Sequence, residues 1–362
     1  MSVPARTRDI LRWVQGSDTR LPTRATLAPD HVLDDEAEAK PKPFEPNVHY
    51  FQIRVNEMFL EKSRQWFARY DPMVLVVAEF IYDKKVRTVP MVVGRTMLEK
   101  FGQKLPSGTI LADTRVAGPH PYKGGRLNLL VMLSQIETAN YARNLMQVLE
   151  SAAGLSLATG LGAYLPVAGV VLDGLQTLLG LEPVKPLVAF RKEFDPDAGD
   201  AFEPSWFALI DLPEDQLDPE HLWVKKNRLM VGTDPDNVRP FREGDFVLYS
   251  IRQQTETTEL EILPFYPLWQ RVQDAAEKSG KDEGDPNWES ARSDMRSLYQ
   301  TLLSSPDLTE RQADELTDTW VVRAQAIRDR GVKIAHMDSA DLSPAEQETQ
   351  RIRARIGSIL ED

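Results

Sequence analysis

Apolar residues recur along this chain in two rhythms. Tyr50-Phe51-Gln52-Ile53-Arg54-Val55-Asn56 alternates apolar with polar, the signature of a half-buried strand. Met73 to Tyr82 is almost continuously apolar and β-branched, which predicts a strand covered on both faces. Val86 to Val93 predicts the next strand, and Pro90 confines it to an edge or a bulge because proline cannot donate to a ladder. Thr109 to Val116 and Arg126 to Leu133 continue the series. Beyond residue 185, Pro186 to Phe190, Trp206 to Ile210, Phe246 to Ile251 and Leu260 to Leu263 have the same β character. Leu222-Trp223-Val224 and Leu229-Met230-Val231 flank Lys225-Lys226-Asn227-Arg228, a hairpin pattern. Glu61 to Tyr70 reads as a short helix or an elaborate loop.

The helical rhythm occupies the middle and the end. Thr138 is a candidate cap for a helix over 139–153 with Tyr141, Leu145, Val148 and Leu149 on one face. Ser151 to Leu181 follows, with Asp173 as its only charge. Its second half places Val167, Val170, Val171, Leu175, Leu178 and Leu179 on an apolar helical face. Pro166 lacks an N–H and disfavours helix at Leu165, so two short helices are expected to meet there as a hairpin. From Pro267 the chain turns helical and charged. Asp285-Pro286 starts a helix carrying Met295, Leu298, Tyr299 and Leu302. Thr309 with Gln312 forms a capping box for another carrying Leu316, Trp320, Val321 and Ile327. Ser343-Pro344-Ala345-Glu346 marks the start of a last one.

Together these elements predict an α+β chain. An antiparallel β-rich, sandwich-like domain spans 49–265, carrying an apolar helical hairpin inserted at 138–182. A small helical region covers 266–362. Residues 1–48, with the acidic run Asp34 to Glu38 and the Pro-rich Lys40 to Pro46, read as an extended arm. The N-terminus lacks the apolar core of a secretory signal.

Composition narrows the function. A net charge of −12 repels phosphate backbones and argues against nucleic-acid binding. With no cysteine, disulfides, thiol nucleophiles and Cys-ligated metals are excluded, and the chain suits the cytoplasm. The five histidines fall in no metal-binding spacing, and no nucleotide or hydrolase motif occurs, so no metal, cofactor or catalytic residue is assigned. Asp195-Pro196-Asp197 and Asp234-Pro235-Asp236 read as turns. Gly118 to Gly125 is the best loop for a site, because it gathers His120, Tyr122 and Lys123 between two strands.

Three functions remain. A non-enzymatic interaction protein, an adaptor or structural subunit binding protein partners or itself, leads. A membrane-active effector releasing 151–181 into lipid is the second, with Leu161, Tyr164, Pro166, Val170, Asp173 and Leu178 as the residues that would contact membrane or partner and Asp173 as a pH-sensitive gate. A hydrolase or transferase with a site near His120 is the third.

Overall fold

The structure, a computed structural model, describes residues 23–34, 42–61, 64–65, 68–94, 109–137, 144–152, 161–181, 184–200, 202–280, 282 and 284–339. The expected helix starting at Ser343 lies outside them. The chain forms two compact units. A β unit runs through Leu263 and takes in Pro306–Thr309; a helical unit comprises Pro264–Ser305 and the chain from Glu310 onward.

The β unit stacks two five-stranded antiparallel sheets. The first has the order β1 (Thr23–Leu27), β9 (Ser205–Ile210), β13 (Phe246–Gln254), β2 (Tyr50–Phe59), β6 (Thr109–Pro121). The second contains β3 (Arg64–Gln65), β4 (Ala68–Tyr82), β7 (Leu127–Glu137) and β8 (Val184–Phe194), with β5 (Lys85–Gly94) paired to β4. The side-chain alternation of β9 and β13 explains the layering. Phe207, Leu209, Val247, Tyr249 and Ile251 point into the core shared with the second sheet. Ala208, Ile210, Phe246 and Leu248 point the other way, into a smaller core under β10 (Leu222–Lys225) and β11 (Arg228–Val231). These two strands and β12 (Arg239–Pro240) make a third sheet. The β10–β11 turn has Lys226 and Asn227 both at positive φ, the geometry of a tight two-residue hairpin.

The near-continuous apolar run of β4 follows from burial on both faces: Met73 to Ala78 are all enclosed. Pro90 sits opposite Val77 on β5, which pairs only with β4 among the described strands. A proline needs such a margin, since its missing N–H faces away from the ladder. Two helices cover this side. Residues 144–152 (α1) and Leu161–Leu179 (α2) contribute Met146, Leu149, Leu161, Tyr164, Leu172, Leu175 and Leu178 to the shared core. The Tyr164 hydroxyl donates to the Pro90 carbonyl.

Four expectations need correction. α2 runs unbroken through Pro166 rather than dividing there. The proline and Gly162, whose carbonyl loses its partner, are both exposed, so the cost of the break falls on the solvent side of the helix. Leu260–Ile262 is a 3-10 turn, not a strand. Within Glu61 to Tyr70, β3 and the start of β4 replace the expected helix or loop. From the stretch read as an outlying arm, Thr23–Leu27 adds β1 to β9.

The helical unit contains α3 (Tyr266–Glu277), α4 (Pro286–Ser304) and α5 (Glu310–Ser339). Asp285 caps α4, accepting from the Asn287 and Trp288 N–H groups. Trp269 of α3 stacks on Trp320 of α5 at 4.7 Å, and Ala291, Leu298 and Leu302 of α4 complete the interior.

Candidate interaction surfaces

The helical unit carries a groove of about 730 Å³ between α4 and α5. Its apolar lining is Trp288, Ala291 and Met295 from α4 with Val321, Val322 and Ala324 from α5. Spacings of three and four place the α4 residues on one face. Val321 and Val322 are adjacent on a helix whose inward stripe is already set by Trp320 and Ala324, so neither can turn fully inward. They are 48% and 70% exposed, and Tyr299 and Leu303 of α4 also expose large apolar surface. Arg292 and Arg296 line the α4 wall; Gln325 and Asp329 line the α5 wall. Arg292 pairs with Glu289 at 3.0 Å, and Gln325 donates to Asp329 at 3.1 Å. Arg328 closes one end with its guanidinium 4.5 Å above the Trp288 ring while donating to the Gly280 carbonyl. Such a trough offers apolar contact, and the one carboxylate in its lining, Asp329, accepts a hydrogen bond from Gln325.

Among the α2 residues named from sequence, Leu161, Tyr164 and Leu178 are core, whereas Pro166, Val170 and Asp173 are exposed. The outer face through Gly162, Ala163, Pro166 and Val170 is uncharged, and Val170 is 68% exposed. By length and composition alone α2 suffices to cross a bilayer.

The Gly118 to Gly125 loop ties chain segments together. Gly118 has φ +90° after the backbone folds against Phe51; a Cβ there would lie 2.3 Å from the Phe51 carbonyl oxygen. The His120 ring stacks on Phe80 at 4.9 Å and meets Phe51 edge-on at 5.8 Å. Burial, reinforced by the Arg115 charge, pushes its pKa down to about 3. The Tyr122 hydroxyl donates to the Gly125 carbonyl at 3.1 Å and Lys123 donates to the Leu308 carbonyl. His120, Tyr122 and Lys123 thus take up separate contacts instead of converging on a common point. Asp195 and Asp234 also have local partners, Arg126 at 2.8 Å and the N–H groups of Asp236 and Asn237. Among the described residues no cluster of three or more metal-ligating side chains forms.

One polar cluster escaped sequence reasoning. Glu57 on β2 is fully buried beneath the β10–β11 hairpin. It accepts from the Leu229 N–H at 2.8 Å and from Arg242 at 2.9 Å, with Arg228 at 3.6 Å. Burial raises its pKa, and the Arg242 charge opposes that rise. Nearby on β2, Asn56 falls at an irregularity in pairing with β6; its amide donates to Asp113, which also holds Arg54 at 3.0 Å. Asp34 accepts from the Lys226 and Asn227 N–H groups and so caps the hairpin turn.

No protein-family profile, curated protein or solved structure matches this chain.

Proposed function

We propose that this protein is a non-enzymatic interaction protein whose helical unit docks a helix of a protein partner in the α4–α5 groove. The observation that carries this reading is the apolar trough itself, with Val321 and Val322 presented to solvent beside Trp288 and Met295. Helix-in-groove recognition lays the apolar face of an amphipathic helix into such a lining. The β unit, with its neutralised His120 and its carboxylate locked under a hairpin, serves as a scaffold. The test is a photo-crosslinking residue at Val322, compared with one at exposed Ser297 outside the groove lining. A discrete protein adduct from Val322 alone, lost when Met295→Asp is added, is expected. The absence of any groove-specific adduct rejects the reading.

The membrane-active alternative is favoured by one feature, the exposed and uncharged outer face of α2 from Gly162 to Val170, which ends at the exposed Asp173. Flotation with anionic liposomes at neutral and acid pH separates the two. The docking reading expects no flotation; flotation abolished by Val170→Asp moves the function to the membrane.

A further inference from the structure

The walls of the α4–α5 groove differ in charge, and that difference selects an occupant. Arg292 and Arg296 stand on α4, Asp329 on α5. The two helices are antiparallel neighbours, and Arg328 above the Trp288 ring fixes their levels. Asp329 therefore lies at the end of the groove marked by the Trp288–Arg292 turn. Consider a two-fold axis parallel to the groove. It brings two such faces together and sets α4 of each copy against the other copy's α5. Asp329 of each copy then meets the α4 side carrying Arg292 and Arg296 of the other, beside the Glu289 that pairs with Arg292, and Val321, Val322 and Met295 of both copies share one apolar seam. A two-fold axis across the helices would oppose α4 to α4 and place arginines against arginines, which like-charge repulsion disfavours. The preferred arrangement gives four helices around a common core, a well-packed architecture.

We infer that the groove is a self-complementary interface that pairs two copies of this chain through α4 and α5. The inference rests on the reading of the groove as a protein-docking site and specifies its partner.

The test is the mass of the purified full chain by light scattering and sedimentation across a concentration series. The wild type is expected to be dimeric. Val322→Asp is expected to weaken dimerisation at least about tenfold, because it buries a charge in the seam. Arg292→Glu and Asp329→Arg are each expected to weaken it too, since each sets like charges across the interface. Mixing these last two variants in equal amounts is expected to restore the dimer. In the mixed pair both contacts, 292 with 329 and 329 with 292, are again between opposite charges. No effect within one chain produces that recovery, and circular dichroism checks that every variant is folded. A monomeric wild type overturns the inference, as do a dimer indifferent to Val322→Asp and a mixture that stays monomeric. A monomeric wild type that dimerises only after removal of 340–362 also overturns it, since the chain itself would then fill the groove. A Val322 crosslink into a different protein, with the wild type monomeric, ends this inference and leaves the docking function standing.

Discussion

At the scale of the residue, the β unit depends on a few buried polar groups. Glu57 is enclosed, and its favourable partners are the Leu229 N–H and two arginines. Removing the carboxylate strands the buried Leu229 N–H and unpairs Arg228 and Arg242, which are 34% and 28% exposed and can turn to water, so the loss is that of a buried hydrogen bond, about 1–3 kcal/mol. Glu57→Ala is therefore expected to lower β-unit stability by about that amount. Glu57→Gln, which keeps an acceptor for Leu229, should lose less; equal urea midpoints for the two variants would show that the charge and hydrogen bonds are not what matters. His120 gives a pH signature. Its unfolded pKa is near 6.5 and its folded value about 3, so the unfolded chain takes up the proton first as pH falls. Its contribution is fully present above about pH 6.5 and is lost progressively as pH drops toward 3. His120→Phe should flatten that part of the urea-midpoint profile, and an unchanged slope would place the titration elsewhere. Neither residue announced its role in the sequence. Glu57 meets Leu229 across 172 positions and Arg242 across 185, distances over which no local pattern carries information. His120 was legible as part of an unusual loop, but the rings that neutralise it come from β2 and β4.

At the scale of the element, local pattern was most readable where one rule acted alone. The β4 run, the β10–β11 turn and the Asp285 cap each follow from a single physical cause, respectively two-sided burial, positive φ and orphan helix N–H groups. It was least readable where tertiary packing outweighed propensity. Pro166 is the clearest case: its signal to break was real, but Tyr164, Ala168, Val171 and Leu172 hold both sides of it on the core. An interior proline disfavours a helix by about 3 kcal/mol relative to alanine, and packing of this face absorbs that cost. Pro166→Ala restores an N–H for the Gly162 carbonyl on an exposed surface, while the unfolded chain gains freedom worth up to about 1 kcal/mol. The net expectation is a β unit more stable by about 1–2 kcal/mol, seen as a higher denaturation midpoint. A loss of stability would mean that the bend at Pro166, rather than its sequence neighbours, fits α2 to β5. The groove was half legible. Met295 and Val321 appeared as members of amphipathic stripes, whereas the adjacent Val322 is the residue whose outward position periodicity alone could have flagged.

At the scale of the whole molecule, chain order and compact units do not coincide. Pro306–Thr309 lies between α4 and α5 in sequence and belongs to the β unit. Within that unit the Tyr82 hydroxyl donates to Asp307 at 2.7 Å, the Thr309 N–H donates to the Tyr50 hydroxyl at 2.9 Å, and Lys123 donates to the Leu308 carbonyl at 2.5 Å. Leu308 is 1% exposed and Thr309 is fully buried, so these four residues act as a plug. Burial raises the pKa of both Tyr82 and Asp307, as expected for groups withdrawn from water. A fragment ending at Leu263 retains every strand among the described residues but lacks the plug. Three intramolecular hydrogen bonds at about 1 kcal/mol each, with a buried leucine worth about 1.5–3 kcal/mol, set the scale of its loss. The fragment is expected to unfold at a clearly lower urea concentration than the β unit of the full chain, followed through Trp206 and Trp223. In the full chain Tyr82→Phe and Lys123→Ala should each move the same transition by roughly 1 kcal/mol. A fragment as stable as the intact β unit would reduce the plug to a passive crossing. A loss of the expected size would make these four residues, which the sequence places between two helices of the other unit, a structural part of the β unit.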